Sequence, residues 1–175
     1  MPFTPFHLGP AFFLGELFEK KVSIISILLG SIIIDVRAIY CLFTGCRPLH
    51  GPLHTFMIAT AIAFMLSFLL YSQRQRLQAV TRMLRIEQNY SFMSIITGAL
   101  LGTWNHVLLD SFLYIDILPL WPLQTNPFLG ITESGTLYMI CLLSFLLATV
   151  IYLHRYFKRE GYIPPSRDLQ EPEIS

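Results

Sequence analysis

The feature that most constrains this chain is a set of apolar runs long enough to cross a lipid bilayer. Residues 53–71, 91–113 and 135–153 form runs of about 19, 23 and 19 residues with few charges. A helix of about 20 residues spans the roughly 30 Å hydrocarbon core of a bilayer. Two shorter apolar segments precede them, residues 5–18 and 22–34, the second extending as far as residue 43 in one interpretation. We expect these two to form a short helical hairpin.

The composition supports a membrane protein. Hydrophobic residues make up 54% of the chain and charged residues 13%, about half the charged fraction of ordinary soluble domains. The sequence therefore predicts an all-α integral membrane bundle of about five hydrophobic helices, in one domain covering residues 1–160. Residues 161–175 read as a disordered tail. A net charge of +1 gives no reason to expect a nucleic-acid partner.

Basic residues predict how the bundle is oriented, because Lys and Arg concentrate on the cytoplasmic side of a membrane. If all five segments cross, ten of the twelve basic residues fall on one side, and only Arg37 and Arg47 fall on the other. The chain is therefore expected in the cell membrane, as a multi-pass protein with its N-terminus outside and its C-terminus in the cytoplasm. Residues 72–90 become a basic cytoplasmic linker.

The three cysteines give weak signals. Cys41, Cys46 and Cys141 contain no CxxC pair, which disfavours a metal–thiolate site. Cys41 and Cys46 are close enough in sequence to pair in an oxidising compartment, and the spacing alone leaves that open.

His106 and Asp110 lie inside the apolar run 91–113, where ionisable side chains are costly unless they pair or bind something. Their i, i+4 spacing places both side chains on one helix face, a turn apart. A structural hydrogen-bonded pair and a metal-ligand or acid–base pair are both consistent with this spacing.

Helical rise predicts that polar residues of other segments reach a similar depth. Counted from the inner end of each segment, Asp35 lies about 20 Å and His106 about 22 Å across the membrane. Asp110 lies about 28 Å across. His7 and His54 lie at the outer ends of the first and third segments, and His50 lies in the outer loop just before the third. Candidate ligands therefore gather in the outer leaflet or at its rim: His7, Asp35, His50, His54, His106 and Asp110. Each has a structural alternative when taken singly, as an interfacial anchor, a chance loop pair or a snorkelling carboxylate.

The motif HGPLH at residues 50–54 is more informative than a lone histidine. Pro52 suits the first position of a helix, so His54 falls in its first turn and His50 in the loop before it. The two rings can then approach one point from different directions, which suits metal coordination better than packing.

The mixture of imidazoles and carboxylates, with no thiolate in the set, favours Zn²⁺, or Mn²⁺ and Fe²⁺, over Ca²⁺. More than four ligands would also allow two metals bridged by a carboxylate, which suits phosphoester hydrolysis. Asp35 and Asp110 are the expected catalytic carboxylates, with Asp110 bridging, binding metal or orienting His106. A position facing lipid headgroups predicts membrane lipids as partners, and a lipid or another phosphoester as substrate.

The long outer loop, residues 114–134, has two interpretations. Tyr114 and Trp121 are typical of aromatic anchors at a membrane interface. The alternative is a lid over the polar residues, with Asp116 or Glu133 as an extra ligand or base. His154, at the inner end of the last segment, stands apart from the others.

Five stretches resemble one known family in the same order along the chain. They are MPFTPFHLG at the start, IID ending at Asp35, HGPLHT from His50, HVLLD from His106 and LWPL from Leu120. In these motifs residues 1–130 resemble the LexA-regulated, inner-membrane metal-dependent hydrolase family. The resemblance implies that the six candidate ligands are the polar positions of the family. Many relatives carry a second acid two residues after the first aspartate, where this chain has Arg37.

The order His, Asp, His, His-x₃-Asp is also similar to all-helical zinc-dependent phospholipases C, although no second His-x₃-Glu pair follows here. Together these observations favour a membrane-bound metal-dependent hydrolase. A metal-ion or small-solute transporter is the first alternative, and it would need a polar path to the cytoplasm. A structural membrane protein with His–Asp pairs is the second. Haem ligation by paired histidines would leave the aspartates unexplained.

Overall fold

The structure is a computed structural model that describes residues 6–84, 86, 88 and 90–160, with side chains as far as residue 158. Its regular structure over these residues is helical, without a strand. In chain order the helices are α1 (Leu8–Leu17), α2 (Ile24–Ile33), α3 (Val36–Thr44), a 3-10 helix (Gly51–His54), α4 (Phe56–Ser72), α5 (Arg74–Met83), α6 (Phe92–Ser111) and α7 (Ser134–Glu160). The all-α prediction is confirmed for this part of the chain. The predicted disordered tail, residues 161–175, lies outside it.

Hydroxyl caps determine where three of the helices begin. Ser23, Thr55 and Ser91 precede α2, α4 and α6, and each side-chain oxygen accepts a hydrogen bond from the backbone N–H three residues later. Such a cap satisfies one of the N–H groups that the first turn leaves unpaired. The backbone N–H of Ser23 also donates to the carbonyl oxygen of Ser94, so α2 and α6 begin side by side.

Helix α6 is the centre of the bundle and packs against α2 and α4, while α1 packs against α2 and α7. The contact between α2 and α6 is a backbone contact. A Cβ atom at Gly102 would collide with the carbonyl oxygen of Ile27, and one at Gly30 would collide with that of Ala99. Small residues at these positions let the two helices approach closely, as in many membrane bundles.

The second apolar segment is longer than the predicted hairpin required. Helices α2 and α3 together make an apolar stretch of 21 residues, Ile24–Thr44, interrupted only around Asp35. The expectation that the first two segments are both short therefore holds only for α1, with 10 residues, and the second segment follows the longer interpretation, which extends to residue 43. The helix resumes because no Gly or Pro follows Asp35 until Gly45, whose left-handed φ of 75° ends α3.

In the part of the chain that the structure describes, three helices are long and apolar enough to cross a membrane: Ile24–Thr44, Phe92–Ser111 and Ser134–Lys158. A fourth span is possible if α4 and α5 count as one, but they are bent by 78° at Gln73. The apolar window of α7 is only 17% buried inside the protein. Because water-facing surfaces rarely expose such large apolar areas, this exterior suits a lipid environment.

A disulfide joins Cys41, near the end of α3, to Cys46. The pairing that the sequence left open is therefore present in the structure. Cys141 on α7 is a free, buried cysteine.

Candidate metal centre

Four buried side chains from three different parts of the fold converge on one point. They are Asp35 between α2 and α3, His54 at the end of the 3-10 helix, and His106 and Asp110 on α6. One ligand atom of each lies within 4.8 Å of the corresponding atoms of the other three, so the group can hold a metal ion. We call these four residues the His/Asp group.

Asp35 and His106 lie at the same height because equal numbers of residues separate them from the paired starts of α2 and α6. Asp35 follows Ser23 by 12 residues, and His106 follows Ser94 by 12 residues, so both lie about 18 Å above the paired helix starts. The common depth predicted from the sequence is thus observed. His54 differs in detail from its prediction, because it ends a separate 3-10 helix before α4 rather than belonging to the first turn of the long helix.

The four His–carboxylate distances in the His/Asp group are close to the ligand spacing of a metal site. His106 Nε2 lies 3.2 Å from both Asp35 Oδ1 and Asp110 Oδ2. His54 Nε2 lies 3.3 Å from Asp110 Oδ2 and 3.5 Å from Asp35 Oδ1. Ligands held about 2.0–2.1 Å from a tetrahedral zinc ion are about 3.3–3.4 Å apart by simple geometry. An N–H···O hydrogen bond is shorter, near 2.9–3.0 Å, and has one preferred acceptor.

The hydrogen bond of the His54 imidazole supports the same interpretation. His54 Nδ1 lies 3.1 Å from the carbonyl oxygen of His50, an acceptor, so Nδ1 carries a proton and donates it. In the neutral ring this leaves the Nε2 lone pair facing the carboxylates, which is the form that binds metals. Nε2 of His54 and Nε2 of His106 are buried and have no hydrogen-bond partner among the described residues.

His7 borders the group without being one of its four members. Its Nε2 lies 2.9 Å from Asp110 Oδ1, and its ring centre is 4.2 Å from that of His106. The distance suits a hydrogen bond but the direction does not, since Asp110 Oδ1 is left without a hydrogen-bond partner in the described structure. We therefore treat this contact as electrostatic. It places His7 where it can orient Asp110 or join the ligand set.

His50 lies one step further out and contacts a loop carboxylate instead. Its Nδ1 is 2.9 Å and 3.1 Å from the two carboxylate oxygens of Asp116, and its ring stacks on Tyr114 with ring centres 4.1 Å apart. Partial burial opposes the charge on Asp116, but the hydrogen bonds from His50 outweigh it and hold the pKa of this carboxyl below its ordinary value. The ring of His50 is 4.9 Å from that of His54.

The outer loop explains why Asp116 reaches His50. Asn126 Nδ2 donates to the carbonyl oxygens of Ser111 and Tyr114, and Phe56 N donates to that of Pro119. These bonds fold the loop back over the ends of α6 and α4. Sequence spacing could not reveal this pairing, and the one available signal was an acid close behind the helix that carries His106. Glu133 and His154 are exposed and lie outside the His/Asp group.

The structure thus brings together four of the six predicted ligands, places His7 against them and leaves His50 as a neighbour. No protein-family model, curated protein or solved structure matches this chain. The family resemblance of the motifs therefore stays a prediction, and the geometry of the His/Asp group is the evidence for a function. That geometry can hold one divalent ion, whose charge would balance the carboxylates of Asp35 and Asp110.

Proposed function

We propose that this protein is a membrane-bound, metal-dependent hydrolase that acts on phosphoesters or lipids at the outer leaflet. The observation that carries the proposal is the set of four His–carboxylate distances of 3.2–3.5 Å in a buried group whose imidazole Nε2 atoms lack hydrogen-bond partners. A bound divalent ion would acidify a water molecule and polarise a phosphoryl oxygen. Zn²⁺ is the first choice for these ligands, with Mn²⁺ or Fe²⁺ as alternatives.

Asp110 is the carboxylate that we assign to the reacting water. Its Oδ2 faces the two imidazoles of the group, while its Oδ1 is held 2.9 Å from His7 Nε2. A carboxylate positioned from both sides can accept a proton without losing its orientation. Asp35, His54 and His106 would be the other residues that hold the ion, and the ion would supply an acidified water molecule beside Asp110.

Two observations favour hydrolysis over the alternatives. A transporter needs a path inward from the site, but below it the backbones of α2 and α6 touch at Gly30 and Gly102. A purely structural cluster would use its buried nitrogens in hydrogen bonds, because an unpaired buried polar atom is costly. His54 Nε2 and His106 Nε2 make none with the described residues.

The activity test uses purified protein in mild detergent with a panel of phospholipids and phosphomonoesters. We expect metal-dependent release of product by the wild type, and a loss of about 100-fold or more in His54→Ala. Glu16→Gln is the matched control, since Glu16 is buried at the far end of α1, and it should keep the activity per folded molecule. A silent panel combined with metal flux into proteoliposomes would make transport the better account.

We also propose the cell (inner) membrane as the location, with the N-terminus and the His/Asp group outside. The distribution of basic residues supports this orientation, and so does the disulfide between Cys41 and Cys46, since disulfides persist in oxidising compartments. Cysteines introduced at the exposed residues Gln124 and Gln75 test it. In intact cells an impermeant reagent should label the first and not the second, and the reverse would overturn the orientation.

A further inference from the structure

A cavity of about 400 Å³ opens beside the His50–Asp116 pair. It lies between the 3-10 helix, the start of α4 and the outer loop, and its lining includes Pro52, Ile58, Asp116, Leu118 and Trp121. Its size falls within the range of small-molecule sites. We propose that this cavity binds the ammonium headgroup of a zwitterionic phospholipid. The inference depends on the proposed function to the extent that it names the substrate class of the same site.

The charge of the cavity favours a cationic group. Asp116 is the ionisable side chain in its lining, and 31% of that side chain is exposed. Its two oxygens accept from His50 Nδ1, but a carboxylate offers about four acceptor positions, so it can still receive a ligand. The guanidinium of Arg37 keeps its charge and lies against Gly51 in the lining, but its Nη1 donates to backbone carbonyl oxygens and forms no ion pair with Asp116.

The other walls suit the remainder of an ammonium-bearing lipid. Trp121 is 46% exposed and lines the same cavity as Asp116. An indole face and a carboxylate together attract alkylammonium ions through cation–π and Coulomb interactions. Pro52, Ile58 and Leu118 offer apolar surface to methyl groups and to the upper part of an acyl chain.

The position of the cavity connects headgroup recognition to the His/Asp group. Asp116 bonds to the ring of His50, and the carbonyl oxygen of His50 accepts the hydrogen bond from His54 Nδ1. His50 therefore links a headgroup held at Asp116 to the metal-binding side chain of His54. In a zwitterionic phospholipid the phosphate adjoins the ammonium group, so the phosphoester of a headgroup held at Asp116 would lie at the same end of the bundle as the His/Asp group.

The experiment measures lipid binding to metal-free protein, so that no hydrolysis intervenes. The chain has two tryptophans, and Trp104→Phe leaves Trp121 as the only indole. Trp104 suits removal because it lies on α6 away from the cavity lining, bonded to Thr60. Short-chain phosphatidylcholine and phosphatidylglycerol with identical acyl chains are titrated in detergent, and Trp121 emission is followed.

We expect a saturable change in emission with phosphatidylcholine and binding weaker by about tenfold or more with phosphatidylglycerol. Asp116→Asn should remove that preference, Asp116→Glu should retain it, and Glu133→Gln in the same loop should leave it unchanged. Equal affinities for the two lipids would overturn the proposal, and that comparison needs no substitution at Asp116. Headgroup preference without hydrolysis of any lipid would leave this inference standing and remove the hydrolase. Hydrolysis without headgroup preference would do the opposite.

Discussion

The two ends of the bundle both bury carboxylates, but they satisfy them differently. At the end that the proposed orientation places inside, Arg155 Nη1 lies 2.7 Å from the carbonyl oxygen of Glu16, 2.8 Å from its carboxylate and 3.0 Å from that of Glu19. We call these three residues the inner ion-pair cluster. In the His/Asp group the His–carboxylate distances are 3.2–3.5 Å, and Nε2 of His54 and Nε2 of His106 have no hydrogen-bond partner in the described structure.

The difference in contact distances and hydrogen-bond partners separates structural polar residues from a binding site. The inner ion-pair cluster contains a cation of its own and makes contacts at ordinary hydrogen-bond lengths, so it needs no ligand. The His/Asp group combines two carboxylates with imidazoles that present lone pairs, and its atoms are spaced around a common centre. Substitutions in the His/Asp group should therefore lower metal affinity, whereas substitutions in the inner ion-pair cluster should lower stability.

The largest effect is expected at Asp110. Asp110→Asn keeps the shape of the side chain and removes its charge, so metal affinity should fall by about 100-fold or more. Competition with a chelator of known affinity measures it. Glu133→Gln, which neutralises an exposed carboxylate outside the group, should leave the affinity unchanged. Unaltered affinity in Asp110→Asn would show that this carboxylate takes no part in binding.

The inner ion-pair cluster should affect stability and spare metal binding. Arg155→Met leaves the carboxylate of Glu16, only 2% exposed, without that cation. The free energy of unfolding should fall by about 1.5–3 kcal/mol, the usual worth of hydrogen bonds to charged groups. Replacing Glu16 and Arg155 together by apolar residues should recover part of this loss. Denaturation in detergent measures the loss of stability, and metal analysis is run in parallel. Loss of metal from a folded Arg155→Met protein would contradict the prediction that this cluster affects stability alone.

The smallest effect is expected at the backbone contact between α2 and α6. Gly102→Ala should cost about 1 kcal/mol, because its Cβ meets the backbone of Ile27 and must push α2 from α6. Metal affinity should fall slightly as well, since these helices carry Asp35 and His106. Gly135→Ala in α7 is the control, because no atom lies within 4 Å of its added Cβ. Similar stabilities of the two variants would argue against a close α2–α6 contact.

Much of the site was predictable from the sequence because helices convert residue number into depth. The count of residues places Asp35 and His106 at nearly one height, and the spacing of His106 and Asp110 places the second carboxylate about one turn further along the same helix face. Apolar runs long enough to span a bilayer then restrict how the segments can pack. His54 was also expected there, since Pro52 marks the start of helical structure next to it.

Other features depend on loop geometry or on weak helix breaks, which the sequence does not encode locally. The pairing of His50 with Asp116 requires a loop folded by Asn126, and residue spacing carries no such information. The sequence left open whether the helix continues past Asp35, because an acid in an apolar segment resembles the end of that segment. The packing of Arg155 against Glu16 joins residues 139 apart in sequence, and only the fold brings them together.

Metal analysis with X-ray absorption, on wild-type protein purified without chelator, tests most directly whether the His/Asp group binds a metal ion. The account predicts about one divalent ion per chain, with nitrogen and oxygen ligands about 2.0–2.1 Å away, imidazole scattering and no sulfur ligand. Chelation should also lower the melting temperature, because the ion binds only the folded group. A preparation that contains no metal, gains none on incubation and melts at the same temperature with and without chelator would contradict it.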